Sequence, residues 1–245
     1  MKINYKKGLV VFSAFLFSTM NTAFAATPQN MQLKTESTLN ANGQKVVINS
    51  TVWYGTSKVR MENDIAPTKG VPANLGKSTI IYDSAKKVVY MMMPQNKTAI
   101  KADSATLNSL QAQGGAADLN TQLITNPGEI RNEMKKQGGK MVGAETVLGY
   151  LCDIWQMESQ VPVSQTGAKE PATVKVWLAN KLSIPLKMEI ISKQRGKVVS
   201  VVAKEVKTNM TIPSSTFEVP SGYKITDVQQ MMNQMKKQVP ATKTK

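Results

Sequence analysis

Enzymatic chemistry draws on a small set of side chains, and this sequence lacks the commonest of them. There is no His among its 245 residues. That removes Ser-His-Asp and Cys-His nucleophilic catalysis and the most frequent metal ligand. The single Cys, Cys152 in the run GYLCDIW, has no second thiol to bridge and no imidazole to activate it. A thiol catalyst therefore lacks its usual base, and a buried, inert thiol is the expectation. Asp153, Glu145 and Glu158 stand in no pairing pattern that implies acid–base work. The glycine pairs are loop and helix-stop residues, not a phosphate cradle. No catalytic set, no metal site and no cofactor are expected, and the chain reads as a protein other than an enzyme.

What remains are residues suited to holding something. Met91-Met92-Met93 lies in a predicted strand, where Met91 and Met93 face one side and Met92 the other. Ordinary core on both faces is one reading. An adaptable wall for a lipid or peptide is another, because Met is flexible and polarizable. A thioether copper site is the third, set against by the missing His and by the alternation of the three side chains. Near the C-terminus Val228, Met231, Met232 and Met235 follow i, i+3, i+4, i+7 spacing, one apolar stripe on an amphipathic helix. Such a helix docks on a sheet as core or lies over a cavity as a movable lid. Arg60, between Val59 and Met61, points to the opposite face from both. It is solvent-facing, or else a cavity residue able to hold a carbonyl or an anionic headgroup.

The elements that position these residues are mostly strands. The run 32–39, Asn42-Gly43 and 44–53 read as a hairpin, and 57–62 as a third strand. Residues 64–76 form a Pro/Gly loop. Runs 78–82 and 87–93 flank a tight turn at Asp83–Lys86, and a turn at Pro94–Asn96 leads to 98–101. Residues 103–137 lack strand alternation and read as a helical insertion. Helices are expected over 106–113 and 127–137, the second stopped by Gly138-Gly139. Strands resume over 140–148, 150–159, 173–179 after a loop at 162–171, 186–193 and 197–206, and Phe217–Pro220 closes the series. A helix over about 225–238 and a basic tail over 239–245 follow. The fold class is mainly β (α+β), a single large curved antiparallel sheet with helices on its inner face.

The N-terminus supplies a location. Lys2, Lys6 and Lys7 precede the apolar run GLVVFSAFLF, and Ala23-Phe24-Ala25 offers small residues at the cleavage site. Residues 1–25 read as a secretory signal removed near Ala26, leaving a domain over 26–238. The run is shorter than the roughly 20 residues a membrane span needs. No Cys stands at the junction for lipid attachment. The expected destination is the periplasm, without a lipid anchor or transmembrane segment. The signal takes three Lys and no acid, leaving +12 of the chain's +15. That charge is scattered, which suits solubility and a weak attraction to anionic membrane surfaces rather than nucleic acid.

Taken together, SKVRMEND, STIIYDSAKKVVYMMMPQNKTAI, ETVLGYLCDIW, VKVWLANKLSIPLKMEI and FEVPSGYK resemble the DUF4412 family of exported bacterial proteins. That family is similar in turn to the LolA/LolB-like carriers and receptors of outer-membrane lipoproteins. The shared pattern is an Arg-bearing strand, a hairpin and an F-x-x-P-x-G ending, here Arg60, Asp83–Lys86 and Phe217, Pro220 and Gly222. The resemblance implies an open half-barrel whose concave apolar face, covered by helices, binds acyl chains, with Arg60 in the place of the carrier's arginine. The block from GYLCDIW to VWLANKLSIPLKMEI departs from the carrier pattern. The expected function is a non-enzymatic periplasmic carrier for an apolar or lipid-like ligand, a lipoprotein among them. On one choice of strand parity its lining is Arg60, Val88, Tyr90, Met92, Trp177 and Met188, with Met231 and Met235 from the helix. The alternative is an envelope-stress sensor or protein-interaction module on the same scaffold.

Overall fold

A computed structural model describes residues 30–41, 44–67, 76–103, 130–162 and 169–230. The chain begins with β1 (Met31–Ala41), β2 (Gln44–Tyr54), β3 (Lys58–Ile65), β4 (Lys77–Asp83), β5 (Val88–Met93) and β6 (Thr98–Asp103). The short helix α1 (Ile130–Lys136) follows. Then come β7 (Lys140–Val147), β8 (Tyr150–Pro162), β9 (Lys169–Ala179), β10 (Pro185–Ser192), β11 (Gly196–Lys207) and β12 (Lys224–Asp227). All twelve strands belong to one sheet in the order β12-β6-β5-β4-β3-β2-β1-β11-β10-β9-β8-β7. Two antiparallel meanders meet where β1 pairs with β11, from Gln32↔Lys207 to Leu39↔Val199. Only β12 runs parallel to its neighbour, β6. The terminal strands β12 and β7 are not paired with each other, so the sheet is open. A sheet this wide curls rather than staying flat.

Local chemistry accounts for the connections. Asp83 Oδ1 accepts the Lys86 N–H at 3.0 Å, closing the β4–β5 turn. Gly196 sits at φ +71°, in the left-handed region the β10–β11 turn requires. In α1, Glu133 is in the first turn and Lys135 and Lys136 in the last, matching the helix dipole. The helix ends where the Gly139 N–H reaches the Met134 carbonyl at 2.7 Å.

The register sorts the side chains onto two faces. One row runs Leu33, Val52, Met61, Ile80, Met91, Ile100 across β1 to β6. Its counterpart runs Leu39, Val199, Ile190, Val174, Met157 across β1 to β8. This apolar face is out of water over most of its length: Met31, Tyr54, Ile80, Val89, Leu186 and Val176 are each at most 2 % exposed. α1 lies on it, with Ile130 and Met134 packed among Trp155 and Met157. The opposite face carries the ion pairs Lys34–Glu205, Lys204–Glu36, Lys197–Glu189 and Lys187–Glu145.

The polar face is crossed by a strap. From the end of β11, residues 208–223 pass over β3 to β6 before β12 joins the far edge. The Met210 N–H bonds the Asn30 carbonyl at 2.8 Å, and the Lys224 N–H bonds that of Lys97 at 2.9 Å. Between these points Phe217 seats on Gly55. Val219 and Tyr223 pack on Ile81, Met92, Ala99 and Tyr90.

Four expectations are corrected. Phe217–Pro220 is not a strand, because Ser214–Phe217 is a single 3-10 turn within the strap. Ile225–Asp227 is strand, not helix, since the strap delivers it to the open edge of β6. Lys169–Pro171 is strand, not loop, paired with Gln160–Pro162 of β8. Strand β3 runs on to Ile65 into the expected loop. The signal over 1–25, the helix over 106–113, Met231, Met235 and the tail lie outside the described residues. Among the described residues no helix is long and apolar enough to cross a membrane.

Candidate functional site

The apolar face is buried over most of its length, and its methionines give it a character. Among the described strands, Met31, Met61, Met91, Met93, Met141, Met157 and Met188 all point to this face, and only Met92 points to the other. Thioethers adapt to irregular apolar shapes. One polar line interrupts the face. Thr35, Ser50, Asn63 and Ser78 stand opposite one another across β1 to β4. The Ser50 hydroxyl donates to Asn63 Oδ1 at 2.7 Å, and Asn63 Nδ2 donates to the Ser78 hydroxyl oxygen at 3.3 Å. Burial raises the pKa of Tyr54 and, together with the neighbouring Asp83 carboxylate, that of Tyr82, so both phenols resist ionisation even in alkaline solution. Farther along, the Trp155 indole N–H is buried with no acceptor among the described residues.

A cleft of about 730 Å³ lies on the polar face, between Trp53, Arg60 and Glu62 of the sheet and Ser215–Ser221 of the strap. Arg60 is committed within it. Its Nε and Nη2 donate to Glu62 Oε1 at 2.9 and 2.6 Å, and its Nη1 donates to the Thr216 carbonyl at 3.0 Å. With its side chain 15 % exposed, the guanidinium ties the strap to β3.

At the other end of the polar face, Trp177 Nε1 donates to Glu145 Oε2 at 2.6 Å, while Lys187 Nζ stands 4.1 Å above the indole ring. Cys152 lies buried on the same face, its thiol donating to the Tyr150 carbonyl at 3.4 Å. Burial, with Glu145 and Asp153 adding to it, pushes the thiol pKa up, the opposite of activation. Among the described residues no group of three potential ligands could hold a metal ion.

The structure therefore divides the expected lining. Met188 is on the apolar face; Arg60, Tyr90, Met92 and Trp177 are on the polar face, as is Val88, opposite Asp83 and Asp103. They do not form one wall, and this corrects the parity chosen for β5. The side chains that share a face with Met188 are the alternates, Val89 and Met91. Tyr90 and Met92 are covered because the strap packs on them, more than 100 residues later in the chain.

One charge sits at the margin of the apolar face. Glu170 is 2 % exposed, held by the Ser192 hydroxyl and by Arg195 Nε. Its pKa is depressed, first by the Ser192 hydrogen bond and then by Arg195. A depressed carboxylate stabilises the fold above its unfolded pKa, near 4.3, and loses that contribution as pH falls through the folded value. Arg195→Gln should therefore be less stable than the parent at pH 7, with the gap narrowing as pH falls below about 4. Thermal melts of both proteins between pH 7 and 3 check this, and a gap constant across that range would refute it.

No family model matches the chain, and no curated protein matches it. The fold is similar to that of an uncharacterized conserved protein from Thermus thermophilus, at 7 % identity and a TM-score of 0.48, covering 90 % of this chain and 98 % of that one. It is also similar to a putative outer membrane lipoprotein-sorting protein domain from Vibrio parahaemolyticus, at 11 % identity and 0.39, covering 87 % and 95 %. A third likeness is to a chain of the Pseudomonas aeruginosa MucA/MucB complex, at 11 % identity and 0.40, covering 78 % and 56 %. At these scores the likenesses concern the course of the chain alone.

Proposed function

We propose that this chain is a non-enzymatic binding protein of the cell envelope that holds an acyl chain, or a comparable apolar group, against the methionine-bearing face of its sheet. The observation that carries the reading is the gathering of Met31, Met61, Met91, Met157 and Met188 on one face of an open sheet. A fixed core is filled equally well by Leu and Ile. Repeated thioethers suit a surface that must fit chains of varying shape. The N-terminal signal pattern supports export to the periplasm, and the sequence resemblance to lipoprotein carriers points the same way. The ligand is lipid-like, the acyl chains of a lipoprotein included.

Native mass spectrometry and solvent extraction of the protein purified from the envelope test this. Stoichiometric lipid, released on unfolding, is the expected result. A lipid-free mass together with no uptake of a fluorescent fatty acid would sink it. A second reading, a protein-interaction module, is favoured by the exposed Met141, Val142, Leu148 and Leu151 on the β7–β8 hairpin. Capture of a defined membrane protein from envelope extract, without lipid, would select it.

A further inference from the structure

β7 is the last strand on its side of the sheet, and its outward backbone edge has no hydrogen-bond partner among the described residues. Every β7 residue is exposed or half-buried, with Met141 54 % and Val142 53 % exposed. A long open edge is a template for another strand. Lipid does not satisfy it, because hydrocarbon leaves backbone N–H and C=O groups unpaired.

The sequence along this edge is complementary to itself. Against β8 the partners are Lys140↔Gln156, Met141↔Trp155, Gly143↔Ile154, Ala144↔Asp153 and Glu145↔Cys152, with Val142 the extra residue of a bulge. Lys140 and Glu145 thus lie two ladder steps on either side of Gly143 and share a face. We propose that a second copy of this chain pairs antiparallel along β7, about a two-fold axis at Gly143. That register sets Lys140 of each copy opposite Glu145 of the other, and Met141 opposite Ala144. Even spacing keeps the outward-pointing backbone groups of the two strands in phase. Gly143 presents no side chain at the axis, and the nearest atom to a Cβ placed there is Ile154 Cδ1 at 3.8 Å. Charges and bulges on an edge normally repel a neighbour. Here the charges attract, in this register, and twice over by symmetry, with Glu145 meeting the second copy through Oε1 while its Oε2 holds Trp177 and Lys187.

The seam is one eight-residue strand from each copy, so the dimer should be weak and form at high concentration. This inference does not depend on the proposed ligand. Light scattering of the chain from Ala26 across a range of concentrations should show mass rising from one copy to two. Gly143→Cys copies should link under mild oxidation, whereas Thr146→Cys copies should not. The native Cys152 is buried and serves as the silent background. Lys140→Glu sets like charges face to face and should weaken the dimer about tenfold. A monomer at every concentration, equal linking at both positions, or a dimer indifferent to Lys140→Glu would overturn the proposal. So would β7 amides that exchange no more slowly in concentrated protein than in dilute protein.

Discussion

Phe217→Ala should lower the unfolding free energy by about 3 kcal/mol, the usual cost of removing a large buried aromatic from a site that cannot collapse onto the gap. The gap would open beneath the strap, where the ring rests on the backbone of β2's exit turn. A Cβ built on Gly55 would stand 2.9 Å from Phe217 Cζ, so ring and glycine are shaped to each other. That contact yields a sharper test than the single variant. Gly55→Ala alone overpacks the site and costs about 1–3 kcal/mol. In Phe217→Ala/Gly55→Ala the methyl fills part of the space the ring vacated, and the two losses should fall well short of additive. Urea unfolding with an unchanged slope measures all three. Strict additivity would mean that Phe217 does not hold the strap to Gly55. Arg60→Met removes another of the strap's fastenings, the bond to the Thr216 carbonyl, and should cost less than Phe217→Ala, about 1–2 kcal/mol.

These fastenings explain why strand positions were legible in the sequence and strand faces were not. Turn residues and apolar runs mark β1 to β11 because each strand is paired through local hairpins, apart from β1 with β11. β5 reads Val-Val-Tyr-Met-Met-Met, apolar on both sides, so no alternation shows which side faces the main core. Its second covering, the strap, comes from a distant part of the chain. The ending Phe217, Pro220, Gly222 is visible as a motif, but its meaning is three-dimensional. Phe217 anchors, Pro220 lines the cleft, and Gly222 at φ +84° turns the chain toward β12. β12 itself is four residues long, with no periodicity of its own to set it apart from the helical stripe beginning at Val228.

The same limit hid Asn63, which carries the second large effect. As a polar residue in Met-Glu-Asn-Asp it gives no sign of burial, yet it is 3 % exposed and sits within the apolar face. Asn63→Ala should cost about 2–3 kcal/mol, because it opens a small cavity and leaves the buried Ser50 hydroxyl without its acceptor. Replacing both members of the pair by apolar groups of similar size, Ser50→Ala/Asn63→Leu, removes the unmet hydrogen bond and should return stability to within about 1 kcal/mol of the parent. Chemical denaturation of the three proteins decides. A double variant as unstable as Asn63→Ala would show that the pair contributes more than mutual satisfaction. The stable double variant also separates two roles of the polar line. If the line only fixes the register of β2 on β3, lipid recovered from the double variant should match the parent in amount and kind. If it meets the polar group of a bound amphiphile, the chains recovered should shift toward ones lacking that group, with no loss of fold to confuse the comparison.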